Sequence, residues 1–167
     1  IPPGTLEEVD EETWRHGWEL KVFGYINSCR QAYARMKHRG SGVIINVIGT
    51  GGERPVAPYS AGAGGNAALM GLTRALGGAS LEDGIRVVGV NPGPIMTDRL
   101  VGGLQFRAEK RFGDGSRWRE CLDEFPTLGR PPGEPEHIAD MVAFLASDLS
   151  AFTTGTIITI DGGQMGR

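Results

Sequence analysis

The chain has 167 residues, 40% of them hydrophobic, and a formal net charge of −3 from 17 basic and 20 acidic side chains. That length suits one domain with its own core, and the interspersed charges lack the basic stripe that nucleic-acid binding would require. No apolar run reaches the roughly 18 residues that would span a bilayer, and Cys29 and Cys121 are too few for a disulfide framework, so a reducing cytoplasm is the expected location.

The opening "IPPGTLEEVD" carries no initiator Met, charged n-region or apolar h-region, so it does not read as a signal peptide. It reads as a loop already under way, which leads us to expect the second part of a longer protein. Residues 11–38 are expected to form one long helix. Asp10 stands at its N-cap with Glu11 and Glu12 in the first turn, and Trp18, Val22, Tyr25, Cys29, Ala32 and Met36 form one stripe. Gly40 ends it, after Lys37, His38 and Arg39. "GVIINVIG" (42–49) is short, apolar and β-branched, the pattern of a strand covered on both faces in a parallel sheet. A second helix is expected over 66–77 and a second buried strand over 84–93, "GIRVVGVNPG". Residues 98–130, polar and punctuated by Gly, suggest a mobile segment with short helices. "EPEHIADMVAFLAS" is a third helix, with Pro135 near its start, and "GTIITIDGG" (155–163) a last strand.

Strands alternating with helices through short links predict right-handed βαβ units, an α/β fold with a parallel sheet and no second domain. Ligands bind such sheets at the carboxyl ends of the strands. Function is therefore expected in the loop after Ile48, the loop after Val90 and the stretch near Asp161. The three histidines, His16, His38 and His137, have no Cys or carboxylate partners at metal spacing, and no metal site is expected.

Five segments, "GSGVIINVIG", "NAALMGLTRALG", "GIRVVGVNPGPIMTDR", "EHIADMVAFLASD" and "TTGTIITIDGG", resemble the short-chain dehydrogenase/reductase family in order and spacing. The resemblance leaves out only residues 98–130. It implies a Rossmann-type parallel sheet flanked by helices, NAD or NADP as cofactor, a small-molecule substrate, and a homodimer or homotetramer built through the long helices. It also implies that the N-terminal half of the fold, with its T-G-x-x-x-G-x-G phosphate turn and the selector between NAD and NADP, falls outside these residues. "GTGG" (49–52) does not replace that turn. "PGPIMT" (92–97) matches the family's P-G-x-x-x-T pattern, so the resemblance assigns Pro92, Gly93, Ile95 and Thr97 to the nicotinamide end of the cofactor. The alternative is a Pro-Gly turn with Thr97 capping the next helix.

The family's catalytic set is an Asn on the long helix, a Ser after the strand, and Y-x-x-x-K. Aligned on "NAALMGLTRALG", these positions carry Lys21, Gly49, Gly62 and Asn66. A Lys and an Asn have exchanged helices. Lys21 is then expected to bring the cation into the pocket, partly desolvated, or else to snorkel outward along Trp18. Tyr59, three residues before the family's Tyr position, is the candidate acid/base, provided the "GAGG" that follows forms a loop and the helix starts one turn late. Thr50 offers the hydroxyl that Gly49 lacks, and Asn66 a polar group toward both substrate and cofactor. Glu53 and Arg54 are expected to be a solvated pair. Trp118, Phe106 and Phe112 either line a substrate lid or pack it down. Two functions follow: an NAD(P)-dependent oxidoreductase interconverting a small alcohol and ketone, or a catalytically silent relative that keeps the fold for cofactor binding or assembly.

Overall fold

The computed structural model of this chain describes residues 1–124 and 131–164. Its centre is β2 (Ile85–Pro92), in which Ile85, Val87, Val88 and Val90 are fully buried. Each such aliphatic side chain removed from water stabilises the fold by about 1.5–3 kcal/mol. β1 (Gly42–Val47) and β3 (Ile157–Ile160) pair with β2 in parallel on either side, with Gly42 opposite Ile85 and Gly89 opposite Ile157. The predicted parallel sheet is therefore present. β1 is less covered than its composition suggests, since only Ile44 and Asn46 are buried within it and Val47 is exposed.

Helices pack on both faces of the sheet. The long helix runs as α1 (Glu11–Trp18), one π-helical turn (Glu19–Phe23) and α2 (Gly24–Arg39). Asp10 caps it, its carboxylate accepting the Thr13 N–H at 2.8 Å, and Gly40 ends it. Cys29, with Tyr33 and Met36, packs on Ile44, Ile85 and Val87. α3 (Ser60–Ala79) adds Leu69 and Met70 against Ile48 on the same side. The opposite face is covered, beyond α4 (Asp98–Phe112), by α5 (Pro135–Ala146), whose Leu145 meets Val88 and Val90. Buried Arg86 donates to the carbonyls of Leu145, Ser147 and Ser150 at 2.9–3.2 Å. Its cation adds a charged donor to carbonyls that Ser150 and Thr153 also engage, at the negative end of the α5 dipole.

The 98–130 stretch is more regular than its polarity suggests. α4 (Asp98–Phe112) and a 3-10 stretch (Gly115–Glu124) enclose their own small core of Leu104, Ala108 and Cys121. Phe112 and Trp118 pack onto that core, while Phe106 is exposed. The remainder of the expected lid, 125–130, lies outside the described residues. No helix among the described residues is long and apolar enough to cross a membrane. No three His, Cys, Asp or Glu side chains among them gather to hold a metal ion.

Candidate active site

The π-helical turn is the first feature that shapes the site. Its backbone bonds skip one residue farther than in an α-helix, with the Gly24 N–H bonded to the Glu19 carbonyl, and Lys21 lies at its middle. Turns of this kind concentrate at functional sites, because the extra residue re-aims a side chain. Lys21 does not snorkel outward: its amine donates to the Ile48 carbonyl at 2.9 Å, and the Tyr25 ring lies 5.8 Å from it. Burial, and then the nearby Arg99 guanidinium, lower the Lys21 pKa below its ordinary 10.5. Tyr25 donates its hydroxyl to the Val47 carbonyl, so two side chains of the long helix cover the last carbonyls of the first strand.

The chain leaves that strand at Gly49, where φ is 124°, a conformation that disfavours any side chain, and the Gly49 N–H donates to Asn91 Oδ1 at 3.2 Å. A 3-10 turn, Thr50–Gly52, follows and lies flat on α3. A Cβ on Gly51 would stand 3.1 Å from Asn66 Nδ2 and 3.2 Å from Tyr59 Cε1, and one on Gly52 only 2.6 Å from the Ala67 nitrogen. The glycines are there because backbone touches helix. Thr50 is half-buried, and its hydroxyl has no hydrogen-bond partner among the described residues.

The expected loop at "GAGG" is not found. α3 begins at Ser60, Tyr59 stands at its N-cap position, and Ala63 N–H bonds to the Tyr59 carbonyl at 2.8 Å. The glycines are helical because their missing side chains make room for the long helix and for one aromatic ring. Trp18 packs against Gly64 and Gly65 and donates its indole N–H to the Ala61 carbonyl at 2.9 Å. The Tyr59 ring folds over Gly62, in the space a Cβ there would take. No late helix start is needed for residue 59 to reach the neighbourhood of position 62. Four residues on, Asn66 is 3% exposed, and its Oδ1 has no donor among the described residues. An orphan buried acceptor is unusual and marks a place where a partner belongs.

The second loop at this end of the sheet holds "PGPIMT". Pro92 closes β2, Gly93 N–H bonds to the Ile160 carbonyl at 2.9 Å, and Met96 N–H to the Gly133 carbonyl at 2.7 Å. Ile95 lies against Gly133. Thr97 is exposed and caps α4, accepting the Leu100 N–H at a long 3.4 Å, so the capping alternative is realised, though weakly.

Three residues at the site were missed or misread in the sequence. Glu53 is not paired with Arg54. Its carboxylate accepts from Asn91 Nδ2 at 2.8 Å and from Thr159 Oγ1 at 2.9 Å, whereas Arg54 reaches the Gln164 carbonyl. Asn91 is wholly buried, and an amide inside an apolar strand just before Pro-Gly was the available signal. Arg99, in the first turn of α4, donates to the Ile1 carbonyl at 3.2 Å.

A parallel sheet between helix layers, with a Pro-Gly turn at its carboxyl end, is the architecture of a Rossmann-type α/β fold. The family profile described as "Enoyl-(Acyl carrier protein) reductase" matches residues 1–165, and the chain belongs to the short-chain dehydrogenase/reductase family. It is 33% identical to the 2-keto-3-deoxy-L-fuconate dehydrogenase of Xanthomonas campestris pv. campestris, over 98% of this chain and 53% of that one. It is 35% identical to the cis-4-hydroxycyclohexanecarboxylate dehydrogenase of Sinomonas cyclohexanicum, over 97% of this chain and 60% of that one. Among solved structures, the L-sorbose reductase of Gluconobacter frateurii, complexed with NADPH and L-sorbose, superposes with a TM-score of 0.87. That match has 27% identity and covers 99% of this chain and 63% of that one. The chain thus spans about half to two thirds of the length of the relatives it matches.

Proposed function

We infer that this chain serves an NAD(P)-dependent oxidoreductase that interconverts a small alcohol and ketone. The observation that carries the reading is the convergence at the first loop. The Lys21 amine sits on the Ile48 carbonyl, and one residue farther along Gly49 begins the turn against which the Tyr59 ring and the Asn66 amide both pack. The cation enters from the long helix instead of from α3.

The residues fit the cofactor that the family implies. Asn66 Oδ1 is a buried acceptor without a donor among the described residues, suited to a sugar hydroxyl, and the Pro92–Gly93 turn with exposed Thr97 leaves backbone and a hydroxyl at the strand end. A bound nicotinamide would supply or accept the hydride. The chain's own residues handle the proton. Tyr59 holds it on the phenolic oxygen, gives it to the substrate oxygen in reduction and recovers it in oxidation. A tyrosine needs help for this near neutral pH, because its unperturbed pKa is about 10. The Lys21 ammonium, held on the Ile48 carbonyl at 2.9 Å, is the cation that this loop offers. Thr50 orients the substrate oxygen with its hydroxyl, and residues 98–124 cover the substrate. Residence in the cytoplasm and assembly as a homodimer or homotetramer complete the proposal. Exposed Leu20 and Phe23 in the π-helical turn, with exposed Leu6 before the long helix, support the assembly.

Turnover by the full-length protein with NADH and NADPH, over a panel of small ketones and alcohols, tests the reading. Tyr59→Phe and Lys21→Ala should each abolish activity, and full activity in either variant removes that residue from the chemistry. Cofactor binding without turnover of any member of the panel would favour the silent relative instead, a reading motivated by the replacements at positions 21, 49, 62 and 66.

A further inference from the structure

The first loop is held at both ends by one buried side chain, and a surface carboxylate completes the hold. Asn91 projects from β2 and is wholly buried. Its Oδ1 accepts the N–H of Gly49, where the loop begins, at 3.2 Å, and its Nδ2 donates to Oε1 of Glu53, where the loop's 3-10 turn ends, at 2.8 Å. The same carboxylate accepts the Thr159 hydroxyl from β3, at 2.9 Å to Oε2 and 3.2 Å to Oε1. The ends of all three strands meet through these contacts. Between the two held residues stand Thr50, Gly51 and Gly52, with Gly51 against Asn66 and Tyr59.

We propose that Glu53 is a positioning residue: through Asn91 it fixes the backbone of residues 49–53, and with it the Thr50 hydroxyl, in the geometry the reaction uses. The carboxylate touches no reacting atom in this account. An amide buried in a strand donates most strongly to a charged acceptor, and its second end is then committed to Gly49. Without Glu53 the Asn91 amide N–H loses its oxygen acceptor and retains only the Met70 sulfur at 3.7 Å. The amide is then free to rotate, and the N–H of Gly49, in a backbone conformation that needs support, is released. Asn91 cannot do this alone, because one amide grips both ends only while each end is engaged.

The proposal rests on the catalytic reading of the first loop, and its test separates the two. In the full-length protein, Glu53→Ala should lower kcat at least tenfold while the NAD(P)H dissociation constant and the melting profile change little. Glu53→Gln, which keeps an acceptor for Asn91, should recover most of that loss. The Glu53→Ala, Thr50→Val double variant should be hardly slower than Thr50→Val alone, since both changes remove one function. Independently of activity, amide hydrogen exchange at Gly49 and Thr50 should quicken at least tenfold in Glu53→Ala and not in Glu53→Gln. Unchanged exchange at Gly49 overturns the proposal whether or not the enzyme turns over. Unimpaired kcat in Glu53→Ala, beside an inactive Tyr59→Phe, overturns it while leaving the catalytic reading intact. Full activity in Tyr59→Phe with quickened exchange in Glu53→Ala shows the reverse: the clamp exists, and the catalytic assignment fails.

Discussion

The two loops at the carboxyl end of the sheet were treated differently in this chain. "PGPIMT" matches the family pattern of the resemblance, whereas the proposed register puts Gly49, Gly62 and Asn66 where that pattern has Ser, Tyr and Lys. The first is tied through its backbone, with the Gly93 and Met96 N–H groups bonded to the Ile160 and Gly133 carbonyls. The second carries its polar groups on side chains, and a side chain can reach one point in space from more than one element. Lys21 reaches the strand end from the long helix, and Tyr59 folds its ring back over Gly62. Backbone geometry is hard to relocate, and side-chain chemistry is easier to relocate.

That contrast can be broken most directly at Tyr59. Tyr59→Phe keeps the ring over Gly62 and removes only the hydroxyl, so a loss of about 10²–10⁴ in kcat is expected with the fold intact; near-normal kcat would erase the difference between the loops. Gly62→Ala should be almost as damaging, because its methyl meets the Tyr59 ring and displaces it. Its signature is a fall in kcat with the melting temperature held within a few degrees.

Away from the site, Arg86→Met should cost about 2–4 kcal/mol in urea melts, since it strips a buried cation from three carbonyls at the end of α5. No change there would mean that α5 does not depend on this contact.

Lys21 gives a pH test. Its pKa is lowered in the fold, so between that lowered value and 10.5 the unfolded chain binds more protons than the folded one, and stability rises with pH across that window. Burial of the charge therefore costs stability at neutral pH. Lys21→Met should melt higher than the parent at pH 7, and the gap should shrink toward pH 10.5. A gap that is constant with pH would place the amine in open water.

The smallest effect belongs to the backbone loop. Thr97→Val removes a cap bond already stretched to 3.4 Å, so the stability loss should be less than about 1 kcal/mol. A rise in KM for the cofactor without a fall in kcat would sharpen the distinction between the loops.

Local pattern carried the scaffold. The unbroken apolar run of β2, the spacing of Trp18, Val22, Tyr25 and Cys29 along the long helix, and the Asp10 and Gly40 boundaries follow from periodicity and capping, which act over a few residues. The exchange of Lys and Asn between positions 21 and 66 is read from the family resemblance alone and stands as part of the proposal. The reach of the π-helical turn was not legible, nor was the helical state of "GAGG", where the Tyr59 ring takes the space of a Cβ on Gly62 and Trp18 packs against Gly64 and Gly65. Glu53, too, looked like one half of a surface pair in the sequence, and only the closing of three strands onto one another gave its carboxylate a buried amide to hold. Contacts between residues dozens of positions apart, such as Glu53 with Asn91, leave no period in a sequence, and they exist only once the chain has packed.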